Sequence, residues 1–109
     1  MKTLNMILCQ GRHECPDSMI KDGAIFEYSL SPEQITNPSE LSAIAMGRLA
    51  DKMITNSDDD YHLNLVVSGL TVALMAVVNA CIKFEVELSL FHFDRSTGEY
   101  YEQVVLTTL

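Results

Sequence analysis

The feature that most constrains the fold is an uncharged stretch of twenty residues, LNLVVSGLTVALMAVVNACI, from Leu63 to Ile82. A helix of about 20 apolar residues is long enough to cross a bilayer, so a membrane span has to be considered. The stretch is interrupted by Ser68-Gly69, however, and acidic residues lie on both sides of it, so no positive flank would orient a span. We therefore predict a buried strand that turns into a helix at Ser68-Gly69.

The residue pattern changes at that break. The preceding residues form a short aliphatic and β-branched run that is typical of a buried strand: Leu63, Leu65, Val66 and Val67. Beyond the break, apolar residues recur at the spacing of one helical face: Leu70, Ala73, Leu74, Val77, Val78 and Cys81. Another side of the helix is wetter: Thr71, Met75, Asn79 and Lys83.

Composition indicates one globular domain of 109 residues, with 48% hydrophobic and 20% charged residues. The apolar run near the start ends before the length of a signal peptide is reached, so we expect a cytoplasmic protein. The three cysteines, Cys9, Cys15 and Cys81, are odd in number and form no CxxC pair, which favours reduced thiols.

The charge balance restricts the class of ligand. An excess of 15 acidic over 7 basic residues argues against a surface that binds duplex nucleic acid. A small anion is still compatible with this charge, because backbone N–H groups at a helix N-terminus and one or two arginines are enough to hold it. The alternative is that the acidity only keeps the protein soluble.

The order of predicted elements is β-β-α-β-α-β-β. This order predicts an α/β fold, a small Rossmann-like domain with a mostly parallel sheet of four to five strands, two main helices and a C-terminal antiparallel hairpin. In the first helix, Asn37 is the expected N-cap, Glu40 holds the place of a capping-box acid, and Arg48, Asp51 and Lys52 face outward. Besides the segments above, the elements are strands at Thr3–Cys9 and 24–28, a helix from Pro38 to about Ile54, a strand at 87–93, and a strand at Glu99–Leu106 after the turn 94–98.

Ligands of open parallel sheets bind beyond the carboxyl ends of the strands, where neighbouring connections leave in opposite directions. Three segments should meet there. They are Gly11, Arg12, His13 and Glu14 after the first strand; Ser68, Gly69, Leu70 and Thr71 after the third; and His92 to Arg95 after the fourth.

The segment Ser68–Thr71 joins a strand to a helix, so its N–H groups and the positive end of the helix dipole suit a phosphate or carboxylate. The alternative is that Ser68 or Thr71 only caps the helix and Gly69 allows a tight turn. The segment lacks the lysine and the length of a Walker loop.

The segment Gln10–Glu14 is the densest polar cluster of the chain and follows directly on an apolar strand. Arg12 can grip a phosphate bidentately, His13 can hydrogen-bond it or act as a general acid or base, and Glu14 can orient His13 or receive a ribose hydroxyl. An exposed loop with ordinary charges is the alternative.

His92 shares a strand face with Leu88 and Leu90, which favours a half-buried structural histidine over a ligand contact. Tyr100 and Tyr101 can stack on a base, but cross-strand packing is the commoner role in a hairpin. The spacing of cysteines and histidines matches no common zinc pattern, and no GxSxG elbow is present, so we expect neither a metal nor a cofactor.

Two segments, ILCQGRHE (Ile7–Glu14) and LVVSGLTVAL (Leu65–Leu74), make the chain resemble the small single-domain relatives of CARF domains, including the compact CRISPR-associated ring nucleases. The segment Leu70–Gln103 also looks like small proteins of bacteriophages and prophages. The resemblance implies a cyclic oligonucleotide bound at a dimer two-fold above the strand ends.

Three functions follow as hypotheses. The first is an anti-defence protein that sequesters a cyclic nucleotide signal. The second is a metal-independent enzyme that cleaves the ring, with His13 as the acid or base and the Ser68–Thr71 segment holding the phosphate. The third is a module that binds a host protein without a small ligand.

A homodimer or higher homo-oligomer is expected, because the second helix has a small-residue side, Ala73, Ala76 and Ala80, that would allow close approach of another copy. The alternative is that this side packs on the sheet.

Overall fold

The computed structural model describes residues 1–10, 15–27, 29–53 and 60–107. Within them a five-stranded sheet has the order β2-β1-β3-β4-β5. The strands are β1 (Lys2–Cys9), β2 (Ala24–Phe26), β3 (Tyr61–Val66), β4 (Glu87–Asp94) and β5 (Glu99–Leu106), and the helices are α1 (Pro32–Ile35), α2 (Pro38–Lys52) and α3 (Thr71–Phe84). A 3₁₀ turn, Asp17–Met19, lies between β1 and β2.

The sheet is parallel from β2 to β4, and only the β4–β5 hairpin is antiparallel. The predicted α/β fold with a mostly parallel sheet and a C-terminal hairpin is therefore confirmed. The stretch Leu63–Ile82 divides between β3 and α3, with Gly69 at a φ of 107° in the turn between them. The structure has no helix, within the part of the chain it describes, that is long and apolar enough to cross a membrane.

Alternation along the strands gives the sheet two different faces. The helical face packs against α2 and α3 and holds the main core, including Met6, Leu8, Leu63, Leu65, Leu88, Leu41, Leu49 and Val77. The open face carries no long helix among the described elements. A small apolar cluster lies on it, in which Ile7, Ala24 and Val66 pack against residues of the 15–20 segment and the hairpin, such as Cys15, Met19 and Phe91.

The alanine side of α3 is not a dimer surface. Ala73, Ala76 and Ala80 are all buried inside the chain, in the same core as the helical-face side chains of the sheet. Small residues let the helix lie close to its neighbours, and this is what the alternative interpretation of the sequence proposed. The wetter side was predicted correctly, since Thr71, Met75, Asn79 and Lys83 are exposed.

The start of α2 was also predicted correctly, with Asn37 Oδ1 accepting from the Glu40 N–H at 3.3 Å. A complete capping box lies at the start of the preceding helix, where Ser31 is the N-cap of α1 and Gln34 is its third residue; this box was not predicted. The predicted end near Ile54 falls outside the described residues, as does Tyr28 at the end of the predicted second strand.

The outward position predicted for Arg48 is wrong. Its Nε and Nη2 donate to the Ala24 carbonyl at 3.3 and 3.2 Å, and Nη2 pairs with Glu27 Oε1 at 2.6 Å. The Ala24 carbonyl points away from β1, because the adjacent Gly23 carbonyl accepts from the Ile7 N–H on that side. The guanidinium thus covers the outer edge of β2.

Candidate functional site

The carboxyl ends of β1 and β3 lie side by side, because the two strands are parallel neighbours in the sheet. After β1 the chain turns to β2 on one side, and after β3 it turns through α3 to β4 on the other. The two connections also leave on different faces, since the 15–20 segment lies on the open face and α3 on the helical face. This is the geometry in which open parallel sheets bind their ligands. We call this position the β1–β3 crevice.

Ser68 joins the end of β1 to the chain after β3 at the base of the β1–β3 crevice. It is 1% exposed, its hydroxyl donates to the Cys9 carbonyl at 2.9 Å, and its oxygen accepts from the Cys9 N–H at 3.2 Å. A buried backbone N–H and C=O at the end of β1 are satisfied in this way. The Ser68 hydroxyl is therefore committed to joining β1 to the chain after β3, and what this residue offers a ligand is its backbone.

The N-terminus of α3 opens at the same place without a side-chain cap. Leu70 is the N-cap residue, and among the residues that the structure describes no side-chain cap hydrogen bond is made at this end of the helix. Neither Ser68 nor Thr71 therefore caps the helix, as the alternative interpretation required. Thr71 is exposed in the first turn. Uncapped N–H groups and the positive end of the helix dipole are a favourable environment for an anion.

The third predicted segment projects beyond the crevice. The Val67 N–H donates to the Phe91 carbonyl at 3.0 Å, so Phe91 is level with the end of β3 and the hairpin continues past it. His92 lies on the helical face, as predicted, where its ring stacks on Tyr101 at 5.2 Å and Nε2 bonds Gln103 Oε1 at 2.7 Å. Arg95 is exposed in the turn. Both tyrosines make the predicted cross-strand pairs, Tyr100 with Phe93.

The remaining predicted site residues, Gly11, Arg12, His13 and Glu14, lie outside the described residues. The chain on either side of them is placed. Gln10 donates its N–H to the Phe26 carbonyl at 3.0 Å, and Cys15 packs in the apolar cluster of the open face.

Neither of the two cysteines with a shifted pKa is suited to nucleophilic catalysis. Burial raises the pKa of the Cys15 thiol, the Asp17 charge raises it further, and a hydrogen bond with Tyr100 opposes them. Burial raises the pKa of Cys81 to about 12. Both thiols are therefore protonated near neutral pH. They are inert as nucleophiles, because the thiolate is the reactive species.

The open face carries a hydrogen-bonded polar network that the sequence analysis missed. His62 Nδ1 lies 2.9 Å from Glu87 Oε1, and His62 Nε2 lies 2.9 Å from Ser89 Oγ. Beside them, the Asn64 amide donates to Asn5 Oδ1 at 3.2 Å. The sequence does show polar residues at alternate positions of β3 and β4, His62 and Asn64 on one strand and Glu87 and Ser89 on the other. It does not show the pairing register of the two strands, which brings these side chains together.

Glu87, His62 and Ser89 are hydrogen-bonded in the order acid, histidine, serine that a catalytic triad has. Their position in the sheet, however, does not suit catalysis. Ser89 is 0% exposed and lies within β4, paired with β3 on one side and β5 on the other. A nucleophile has to reach its substrate and needs donors for the oxyanion that forms, which strand amides engaged in a sheet do not supply. This network stabilises the open face by satisfying its own polar groups.

A cavity of about 460 Å³ lies at the other end of the strands, near the amino end of β4. Its lining combines apolar side chains with three carboxylates, Asp60, Glu85 and Glu87. Carboxylates repel a phosphate, so this cavity does not compete with the β1–β3 crevice for an anionic ligand. No cluster of three potential metal ligands occurs among the residues whose positions the structure gives.

Comparisons with protein-family models, with curated proteins and with solved structures find no match to this chain.

Proposed function

We propose that the chain binds a small phosphorylated ligand in the β1–β3 crevice. The observation that carries this proposal is the divergence of the connections after β1 and β3, which leave toward opposite sides and opposite faces of the sheet. That divergence leaves room above the strand ends, where the first-turn N–H groups of α3 point.

The proposed ligand class is a cyclic nucleotide or cyclic oligonucleotide. Support comes from an uncapped helix N-terminus within a chain of net charge -8, because anion binding then depends on local backbone donors rather than on a basic surface. The sequence adds Arg12, in the segment that follows β1, and Arg95 in the hairpin turn as candidate phosphate partners.

Sequestration of the ligand is favoured over its cleavage. Around the crevice, the Ser68 hydroxyl is committed to Cys9 and the Cys15 thiol has a raised pKa, so neither supplies a nucleophile. His13 is the residue on which the alternative, a cyclic nucleotide phosphodiesterase, depends. Sequestration in turn fits an anti-defence role for a phage protein.

The test is to incubate the protein with cyclic dinucleotides, cyclic trinucleotides, cyclic tetranucleotides and cyclic ADP-ribose isomers, remove free ligand, and release what is bound by heating. Chromatography of the released fraction should recover an intact cyclic compound. Linear products would replace sequestration by cleavage. Failure of every compound to bind would remove the proposal and leave the protein-binding hypothesis.

Arg12→Ala sharpens the test. Loss of a charged hydrogen bond to phosphate should weaken binding by about 1.5–3 kcal/mol in isothermal titration calorimetry. The matched control is Lys83→Ala, which removes one positive charge at the far end of α3, where the residue is exposed. Equal losses in the two variants would mean that only total charge matters and that the crevice is not the site.

A further inference from the structure

The two edges of the sheet are protected very differently. At one edge, β2 has three residues, all buried, and the Arg48 guanidinium covers its outward Ala24 carbonyl. At the other, β5 has eight residues, most of them exposed, and its sequence contains no lysine, arginine or proline. Natural edge strands usually carry such residues, which prevent pairing with another strand.

Exposed apolar surface is concentrated at this unprotected edge. Among the described residues, the hairpin supplies four of the seven exposed large hydrophobic side chains: Phe93, Tyr101, Val104 and Val105. Of the exposed apolar side chains in β5, Val104 at 56% and Tyr101 at 55% are the most exposed. Among the described strands β5 is the last of the sheet on this side, and an edge strand with apolar side chains along it is the form of a strand-pairing interface.

From this edge we propose that β5 pairs antiparallel with β5 of a second copy of the chain, joining two sheets into one of ten strands. A two-fold axis normal to the sheet keeps the same face of both copies on the same side, so opposed residues have to belong to the same face. On β5 the helical face holds Glu99, Tyr101 and Gln103, which lie opposite Asp94, His92 and Leu90 of β4. Tyr100 and Glu102 belong to the open face.

A register centred on Tyr101 satisfies the chemistry of both faces. It places the two Tyr101 rings opposite each other, each Glu99 opposite Gln103 of the other copy, and each Tyr100 opposite Glu102. No carboxylate faces a carboxylate. A register centred on Glu102 would oppose the two Glu102 side chains, and one centred on Gln103 would include the irregularity opposite Leu88 and Ser89.

Two contacts within one chain already hold Tyr101 and Gln103 in positions that suit this register. The Tyr101 ring already stacks on His92 at 5.2 Å, so pairing would produce a row of four rings across the interface. His92 Nε2 bonds the Oε1 of Gln103 at 2.7 Å. Because His92 occupies the amide oxygen, Gln103 presents its N–H donors to the neighbouring strand, and Glu99 of the other copy is a carboxylate acceptor.

Sedimentation equilibrium over about 1–200 µM, a range that detects weak interfaces, tests the proposal. We expect a species near twice the 12.2 kDa mass of one chain. Because each copy carries a charge of -8, added salt should strengthen the dimer by screening repulsion. A monomer at every concentration overturns the proposal.

The decisive variants change the charges at positions 99 and 103, which lie opposite each other in the proposed dimer. Gln103→Glu creates two Glu–Glu oppositions and should raise the dissociation constant about tenfold or more. Adding Glu99→Lys to that variant should restore dimerisation, because each Lys then faces a Glu of the other copy. Within one strand the two positions are four residues apart, too far to pair with each other.

Met75→Glu is the control, since it places a charge on an exposed apolar residue of α3, outside β5. It should leave the dissociation constant unchanged. A dimer that Met75→Glu disrupts as strongly as Gln103→Glu, or that the double variant does not restore, would mean that this register is wrong. If the chain is monomeric but binds an alternating valine–lysine peptide, and salt weakens that binding, the edge accepts a basic strand of another protein and the proposal fails.

Discussion

Strand β3 shows both faces of the sheet in adjacent residues. On the helical face Leu63 and Leu65 are fully buried in the main core, whereas on the open face His62 and Asn64 are half-buried and hydrogen-bonded to neighbouring strands. The helical face is stabilised by removing apolar area from water, and the polar part of the open face by matching donors with acceptors. The β1–β3 crevice lies where the connections change from one face to the other.

Substitutions on the helical face should lower the free energy of unfolding most. Leu63→Ala should lower the free energy of unfolding by about 2–5 kcal/mol, because it leaves a cavity between the sheet and the helices. Urea denaturation followed by circular dichroism measures this loss. Met75→Ala removes a side chain that is 49% exposed on α3 and should change the free energy by no more than about 0.5 kcal/mol. Similar losses in both variants would contradict the assignment of the core.

The second largest effect is expected for Ser68, which joins the end of β1 to the chain after β3. Ser68→Ala removes the hydroxyl that bonds both backbone groups of Cys9, and the unpaired buried groups should cost about 1–3 kcal/mol in the same denaturation experiment. The matched serine is Ser96, whose hydroxyl bonds Asp94 in an exposed turn, where water can replace it. If Ser96→Ala costs as much as Ser68→Ala, the crevice floor is not held by Ser68.

Cys81 predicts how the stability of the helical face depends on pH. Its pKa is raised from 9.0 to about 12 in the folded state, so only the unfolded chain loses this proton between those values. The stability that this group contributes is complete well below pH 9.0 and is lost as the pH rises through 9.0 toward 12, by about 1.4 kcal/mol at pH 10. Urea denaturation at several pH values should show a shallower decline in Cys81→Ala than in the unmodified chain. Parallel declines would show that Cys81 titrates normally and is not buried.

The smallest effect is expected on the open face. Single variants His62→Ala and Ser89→Ala should each destabilise the fold, and their double variant should reveal a coupling of about 0.5–1 kcal/mol in a double-mutant cycle. His92 is the control, because it lies on the other face of β4 and its effect should add to that of Ser89→Ala. Additive effects for His62 and Ser89 would mean that their 2.9 Å contact contributes nothing.

Much of the fold could be predicted from the sequence because each element carries its own pattern. The break at Ser68-Gly69, the cap at Asn37 and the hairpin strand Glu99–Leu106 are local signals, and the structure confirms them. The small side of α3 could not be assigned, because alanines favour close packing equally well against a sheet or against another copy. Its burial was decided by the position of α3 beside α2 on one face.

The candidate site was less predictable, because it depends on strand register. The rule for open sheets correctly brought Ser68 to the end of β1, yet nothing local indicated that its hydroxyl would bind Cys9, 59 residues away in sequence. The His62–Glu87 contact likewise follows from the pairing of β3 with β4. Arg48 was misplaced for the same reason, since the carbonyl that it binds belongs to a strand 24 residues away.

The most direct test of the proposed crevice is heteronuclear NMR of the labelled protein titrated with cyclic nucleotides, and with inorganic pyrophosphate as a phosphate-only probe. Binding in the β1–β3 crevice should change the chemical shifts of the backbone amides of Gln10 and of the 69–72 segment, and leave those of Glu85, Glu87 and β5 unchanged. Changes centred on the acidic cavity or on β5, or none with any probe, would contradict it.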